Sequence, residues 1–202
     1  MNMIANNPVG RPRSFDEEQV LATVMGVFWR KGYEGTSVAD LLKATGLHKG
    51  SIYQTFGDKH SLFIRALDSY IADMKKNMAE VVATSNSALE ALRGISYYHI
   101  ENGLTEDGVH SGCLALNSLV ETAQHDPEVM QVLGSVYKMR IDLVTATVKR
   151  AQEAGDLRRD WKPERIAHLI AASEAGILVE LKGQLDEKGA KALVDDLLET
   201  LN

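Results

Sequence analysis

A single cysteine, Cys113, stands in 202 residues. That excludes an intramolecular disulfide framework and any multi-cysteine zinc site. Only four prolines occur, at 8, 12, 127 and 163, so long stretches run free of helix breakers. No apolar run reaches the ~18 residues needed to span a bilayer. The polar first twelve residues hold no apolar signal segment. A cytoplasmic protein with no membrane partner is therefore expected. Strand-like alternation, internal repeats and low-complexity tracts are missing as well. So are the short signatures of catalysis: GxSxG, the phosphate-binding P-loop and HExxH. Six histidines, at 48, 60, 99, 110, 125 and 168, show no i, i+4 ligand spacing. No enzyme, no metal and no cofactor is expected.

What is present is an ordinary globular composition, 45% hydrophobic and 25% charged, enough to bury a real core. The net charge of -6 is unevenly spread. Residues 1–65 carry 8 basic and 6 acidic side chains; the rest carry 14 and 22. One end can approach phosphates while the other is repelled by them.

Helical spacing dominates. Ser14, with Glu17 three residues on, reads as a capping box for a first helix starting near Phe15. Val20, Leu21, Val24, Val27 and Phe28 share its apolar face, and Gly32 stops it. Thr36 or Ser37 caps a short second helix, with Val38, Leu41 and Leu42 inward. Gly46 breaks it, and a third helix spans 48–56 with Ile52 and Phe56 buried. A long helix covers 59–84, another 87–101, and 102–112 is a glycine-containing loop. Residues 113–125 read as helical. Asp126-Pro127 opens a helix that ends at Gly155. Lys162-Pro163 opens one with Ile166, Leu169, Ile170, Ser173, Ile177 and Leu181 on a stripe. The last spans 187–201, with Leu193, Val194, Leu197, Leu198 and Leu201. The fold class is all-α, with about nine helices.

Residues 36–56 are two short helices joined by a glycine-containing turn, with a helix before them. This is the helix-turn-helix pattern, whose second helix enters the major groove. The outward residues of that helix are His48, Lys49, Ser51, Gln54 and Thr55, with Gly50 and Tyr53 among them. They supply donors, acceptors and a cation, and no acid to repel phosphate.

The stretch 28–62, FWRKGYEGTSVADLLKATGLHKGSIYQTFGDKHSL, resembles the DNA-binding segment of TetR-family regulators. The matching residues are Gly32, Tyr33, Thr36, Ser37, Val38, Ala39, Gly46, Leu47, Gly50, Ile52, Tyr53, Phe56, Lys59 and Leu62. Thr55 stands where members often have histidine, and Leu41-Leu42 replaces a commoner isoleucine-alanine pair. The resemblance implies that Lys49, Gly50 and Tyr53 touch phosphates and base edges. It implies that Thr36 or Ser37 meets a phosphate at a helix N-terminus, and that Lys59 meets another. Gln54 is the candidate for reading adenine. Double-stranded DNA with a palindromic operator is the implied partner. The rival reading is a helical protein-interaction module that binds no DNA.

Ahead of the first helix, Gly10-Arg11-Pro12-Arg13 resembles a minor-groove AT-hook, with Arg11 and Arg13 as contacts; the alternative is a plain basic tail. Residues 1–14 are thus read as a flexible basic arm, 15–62 as the head, and 63–202 as an effector-binding and dimerisation body. The resemblance implies a homodimer through the last two helices, and a repressor released when a small organic effector shifts the fourth helix. Candidate pocket residues are Tyr70, Met74, Tyr97, Tyr98, Cys113, Leu116, Asn117, Glu121, Tyr137 and Met139, aromatic and soft apolar groups mixed with a few polar ones. Cys113, expected in the first turn of a helix, reads either as an inert buried thiol or as a sensor of electrophiles or oxidants. Gly112-Cys113-Leu114 resembles a subgroup of these regulators, some of which sense electrophiles or oxidants through such a cysteine.

Overall fold

The structure, a computed structural model, describes residues 15–103 and 109–202. Nine α-helices account for most of them, and the local chemistry sets where each begins and ends. Helix α1, Glu17–Lys31, is capped by Asp16, whose carboxylate accepts from the amides of Glu18 and Gln19. Glu17 and Glu18 in its first turn, and Arg30 and Lys31 in its last, complement the helix dipole. The cap is therefore Asp16 and not Ser14, which lies outside the described residues; a carboxylate in the cap position satisfies two free amides by itself. Helix α2, Val38–Thr45, starts on a reciprocal Ser37–Asp40 box and ends on Gly46 at φ 66°, a left-handed conformation that favours glycine. Helix α3 is Lys49–Phe56, and α4 is Lys59–Thr84, capped by Asp58.

In the body, α5 is Ala88–Asn102, α6 Leu114–Glu121 and α7 Pro127–Ala154. Helices α8, Pro163–Leu181, and α9, Glu187–Thr200, complete the chain. Two expectations need correcting. Helix α6 ends at Glu121 and does not reach residue 125. The amides of Thr122 and Ala123 both turn back to the Ser118 carbonyl, which closes the helix, and Asp126 then caps α7. Cys113 is accordingly the extended residue before α6 (φ -100°, ψ 125°) and not part of its first turn. The inward face of α8 is also wider than the expected stripe. It holds Ile166, Ala167, Ile170, Ala171, Glu174, Ile177, Leu178 and Leu181, because α8 packs against both α7 and α9. Leu169 is left exposed.

One hydrophobic core runs through head and body, and α4 carries it from one to the other. Leu62, Phe63, Ala66 and Leu67 of α4 pack with Phe28, Leu41, Ile52 and Phe56 of the head. Further along, Tyr70, Ile71, Met74 and Met78 enter the body. Burying each such large side chain contributes about 1.5–3 kcal/mol, so head and body share the residues that stabilise them. Polar ties reinforce the junction. The Trp29 indole donates to the Gly112 carbonyl at 2.9 Å, and Trp29 meets the Tyr70 ring edge-on. His60 Nε2 sits 2.7 Å from Asp126 Oδ2.

Candidate nucleic-acid interface and effector cavity

Helix α3 turns Ile52 and Phe56 inward and leaves the rest of its surface outside. His48, Lys49, Gly50 and Gln54 are exposed, and Ser51, Tyr53 and Lys59 half-buried. Lys49 Nζ lies 5.4 Å from the Tyr53 ring, one helical turn on, and Lys59 Nζ lies 4.2 Å from the Tyr33 ring. These cations rest on aromatic faces, and neither pairs with a carboxylate among the described residues. No acidic residue occupies the first turn of α3, and His48 forms no side-chain cap, so the first amides of the helix remain available. A Cβ built at Gly50 would meet nothing within 4 Å. The fold itself therefore does not need glycine there.

The two candidate phosphate donors of α2 differ. Thr36 is 1% exposed, and its hydroxyl donates to the Gly32 carbonyl at 2.6 Å, so it props the turn from inside. Ser37 is exposed and shares Asp40 with Lys31. Hydrogen bonds from Lys31 and Ser37 hold the Asp40 carboxyl well below the usual carboxylate range. Arg11 and Arg13 lie outside the described residues.

In the body, a cavity of about 110 Å³ lies between α4, α5, α6, α7 and α8. Met74, Cys113, Leu116 and Tyr137, four of the ten expected residues, line it. Tyr70 stands behind Cys113, with its hydroxyl oxygen 3.2 Å from Sγ. Burial, with the thiol next to it, pushes the Tyr70 hydroxyl well above its ordinary pKa. The other five point elsewhere. Tyr97 donates to Asp195 at 2.8 Å and ties α5 to α9. The Tyr98 hydroxyl meets Asn77 at 3.4 Å, and Met139 packs on the core. Asn117 donates to the Ser111 carbonyl, and it faces, with Glu121, a separate groove between α1, α6 and α8. The carboxylate of Glu121 accepts from the amides of Tyr33 and Glu34, each at 3.0 Å. It holds the α1–α2 turn of the head against the end of α6.

Three ionisable cavity residues were absent from the expected set: His99, Arg140 and Glu174. Arg140 pairs with Glu174, and the Ser96 hydroxyl donates to the other Glu174 oxygen at 2.5 Å. His99 Nδ1 donates to the Ile95 carbonyl at 3.0 Å. Burial, with Arg140 close by, lowers the His99 pKa to about 3, so the ring is neutral. The signal for the ion pair was in the sequence. Arg140 follows Leu133 and Val136 and precedes Val144 at core spacing on α7. Glu174 does the same between Ile170 and Leu178 on α8. A charged residue on each of two apolar stripes points to a buried pair.

Residues 20–66 match the sequence model of bacterial regulatory proteins of the tetR family. Residues 88–194 match that of the tetracyclin repressor-like C-terminal domain. The chain belongs to the TetR family. It is 34% identical over 195 residues to the HTH-type transcriptional regulator YezE of Bacillus subtilis, which is 96% of this chain and 100% of YezE. It is 30% identical over 149 residues to the transcriptional repressor ComR of Escherichia coli, spanning 73% of this chain and 70% of ComR. Among solved structures, a cysteine mutant of the TetR-family regulator CifR, in complex with 26-base-pair operator DNA, superposes with a TM-score of 0.83 at 27% identity. That match covers 96% of this chain and 100% of CifR. Among the described residues, no group of histidine, cysteine, aspartate and glutamate could hold a metal ion, and no helix is long and apolar enough to cross a membrane.

Proposed function

We propose that this TetR-family regulator is a homodimeric repressor that reads a palindromic operator through α3 and releases it when the body cavity is filled or Cys113 is modified. The observation that carries the reading is the outer face of α3. Lys49, Gly50 and Gln54 are exposed on it, and Tyr53 lies half-buried beside Lys49. An open glycine lets a phosphate backbone come close, Lys49 and, from the start of α4, Lys59 neutralise phosphates, and the Gln54 amide can read an adenine edge. The α3 amides add a helix N-terminus, which favours anions. Arg11 and Arg13 would add minor-groove contacts, and removing residues 1–13 should then weaken binding.

Exposed Leu169 of α8 and Leu193 of α9 support a two-fold interface through these two helices. A dimer would set two α3 helices about one DNA turn apart. Helix α6 couples cavity to head. Leu116 and Leu119 face the cavity, Cys113 precedes them, and Glu121 grips the head. A ligand that displaces α6, or an electrophile that adds to the Cys113 sulfur, favours a DNA-incompetent arrangement by its differential affinity for it. DNA flanking the chain's own gene is the natural probe. In fluorescence anisotropy, Lys49→Ala and Tyr53→Ala should each lose about 1–3 kcal/mol of operator affinity while staying folded. Binding that is weak on all sequences and indifferent to both changes would refute the reading.

A further inference from the structure

The cavity walls are mostly apolar, from Met74, Leu116, Val136 and Leu178. At about 110 Å³ the space is somewhat smaller than an engineered cavity of about 150 Å³ that admits benzene, so a compact molecule of about six heavy atoms fits. One side chain on this lining has an unused polar atom. His99, on α5, is 5% exposed. Its Nδ1 lies 3.0 Å from the Ile95 carbonyl, which can only accept, so Nδ1 carries the ring proton. Burial, with Arg140 close by, keeps the ring neutral. Nε2 is therefore a bare lone pair, an acceptor with no hydrogen of its own. It has no hydrogen-bond partner among the described residues, and it is not sealed in the core: it keeps accessible surface where His99 borders the cavity. The polar groups around it are already engaged. Glu174 pairs with Arg140 and accepts from the Ser96 hydroxyl. Cys113 lies against the Tyr70 hydroxyl, and the Tyr137 hydroxyl against His168. Buried polar atoms normally find a partner. What this site can still take is a hydrogen-bond donor.

We propose that the effector is a small neutral alcohol, one hydroxyl on a compact apolar body, whose O–H donates to Nε2 of His99. The inference rests on the reading of this cavity as the effector site. The apolar body fills the space against α6, and the hydroxyl meets α5. A ketone of the same shape sets a second lone pair against Nε2 and leaves both acceptors unmet. That mismatch is the strongest basis on which a buried site rejects an analogue. An ammonium or a carboxylate would bring a charge that the mutually neutralised Arg140 and Glu174 do not compensate.

The test is titration of the full chain with three probes of equal heavy-atom count: cyclopentanol, cyclopentanone and methylcyclopentane. Binding is read by calorimetry and by the imidazole nitrogen resonances of His99 in heteronuclear NMR. In the free protein Nε2 should show the resonance of an unprotonated ring nitrogen. Cyclopentanol should move it toward the protonated position, and the other two probes should leave it in place. Cyclopentanol should also bind tighter than cyclopentanone by on the order of tenfold or more. In His99→Leu that preference should vanish, with methylcyclopentane bound at least as well as before. The resonance is read on the unaltered chain and so decides even where His99→Leu fails to fold. A free protein protonated on Nε2 overturns this inference alone. So does a cyclopentanol complex with an unmoved Nε2 resonance, tighter binding of the ketone, or an alcohol preference that survives in folded His99→Leu. If none of the three binds, the effector reading of the cavity falls with it, whereas operator binding, measured separately, is untouched.

Discussion

In the head, Lys49 and Gln54 stand in water on α3, and no carboxylate among the described residues neutralises the lysine. In the body, Arg140 and Glu174 are closed inside an apolar cavity and neutralise each other. The same chemistry has opposite consequences in the two places. An exposed charge contributes little to folding and is free for an outside partner. A buried pair is tied to stability, because either member left alone is an uncompensated charge in a poor solvent. The exposed charges of the head can therefore be altered with loss of binding alone, whereas the polar centre of the body cannot.

The largest effect expected from this contrast is that of Arg140→Ala. It should cost about 3–5 kcal/mol in urea unfolding by stranding Glu174, whereas Lys49→Ala should stay within about 0.5 kcal/mol of the parent. A small cost at Arg140 would erase the distinction. Acid should then find the body first. The His99 pKa lies at about 3 in the fold, against 6.5 ordinarily, so below pH 6.5 the unfolded chain takes up a proton that the native chain refuses. Its contribution is intact above pH 6.5 and is lost as the pH falls toward 3. Near pH 5 the loss should be about 2 kcal/mol, and His99→Leu should lack that slope.

Two glycines sharpen the comparison. Gly32 sits at φ 76°, ψ 173°, and a Cβ there would come within 2.6 Å of Glu121. Gly32→Ala should destabilise by about 1–3 kcal/mol. Gly50→Ala should leave stability unchanged or raise it by up to about 1 kcal/mol, yet weaken operator binding. The smallest effect belongs to the junction. Glu121→Gln weakens two charge-assisted bonds at a half-buried site, and about 1 kcal/mol is expected. Its distinguishing mark is faster hydrogen exchange at the Tyr33 and Glu34 amides with the α3 amides unaltered.

Much of the fold was legible because its punctuation is local. Gly46, Pro127, Gly155 and Pro163 sit where helices stop or start, and the 3.6-residue period gives the inward faces. The outward face of α3 was legible for the same reason: residues 49–54 lie within a single helix. The C-terminal end of α6 was not, because nothing in 122–125 forbids a helix, and the competing cap at Asp126 decides it. The cavity was only partly legible. Periodicity says which residues face inward but not which inward residues border a void. Tyr97 and Tyr98 have the right chemistry, but Tyr97 answers to Asp195, 98 residues away. Arg140 and Glu174 carried the better signal, charges on apolar stripes.

The most direct test of the regulator reading is a hydroxyl-radical footprint on DNA flanking the chain's own gene. Two protected half-sites of an inverted repeat, about one helical turn apart and both lost in Lys49→Ala, are the expected result. Protection at no defined site, or a footprint that Lys49→Ala leaves intact, would contradict the assignment of α3 as the reading helix.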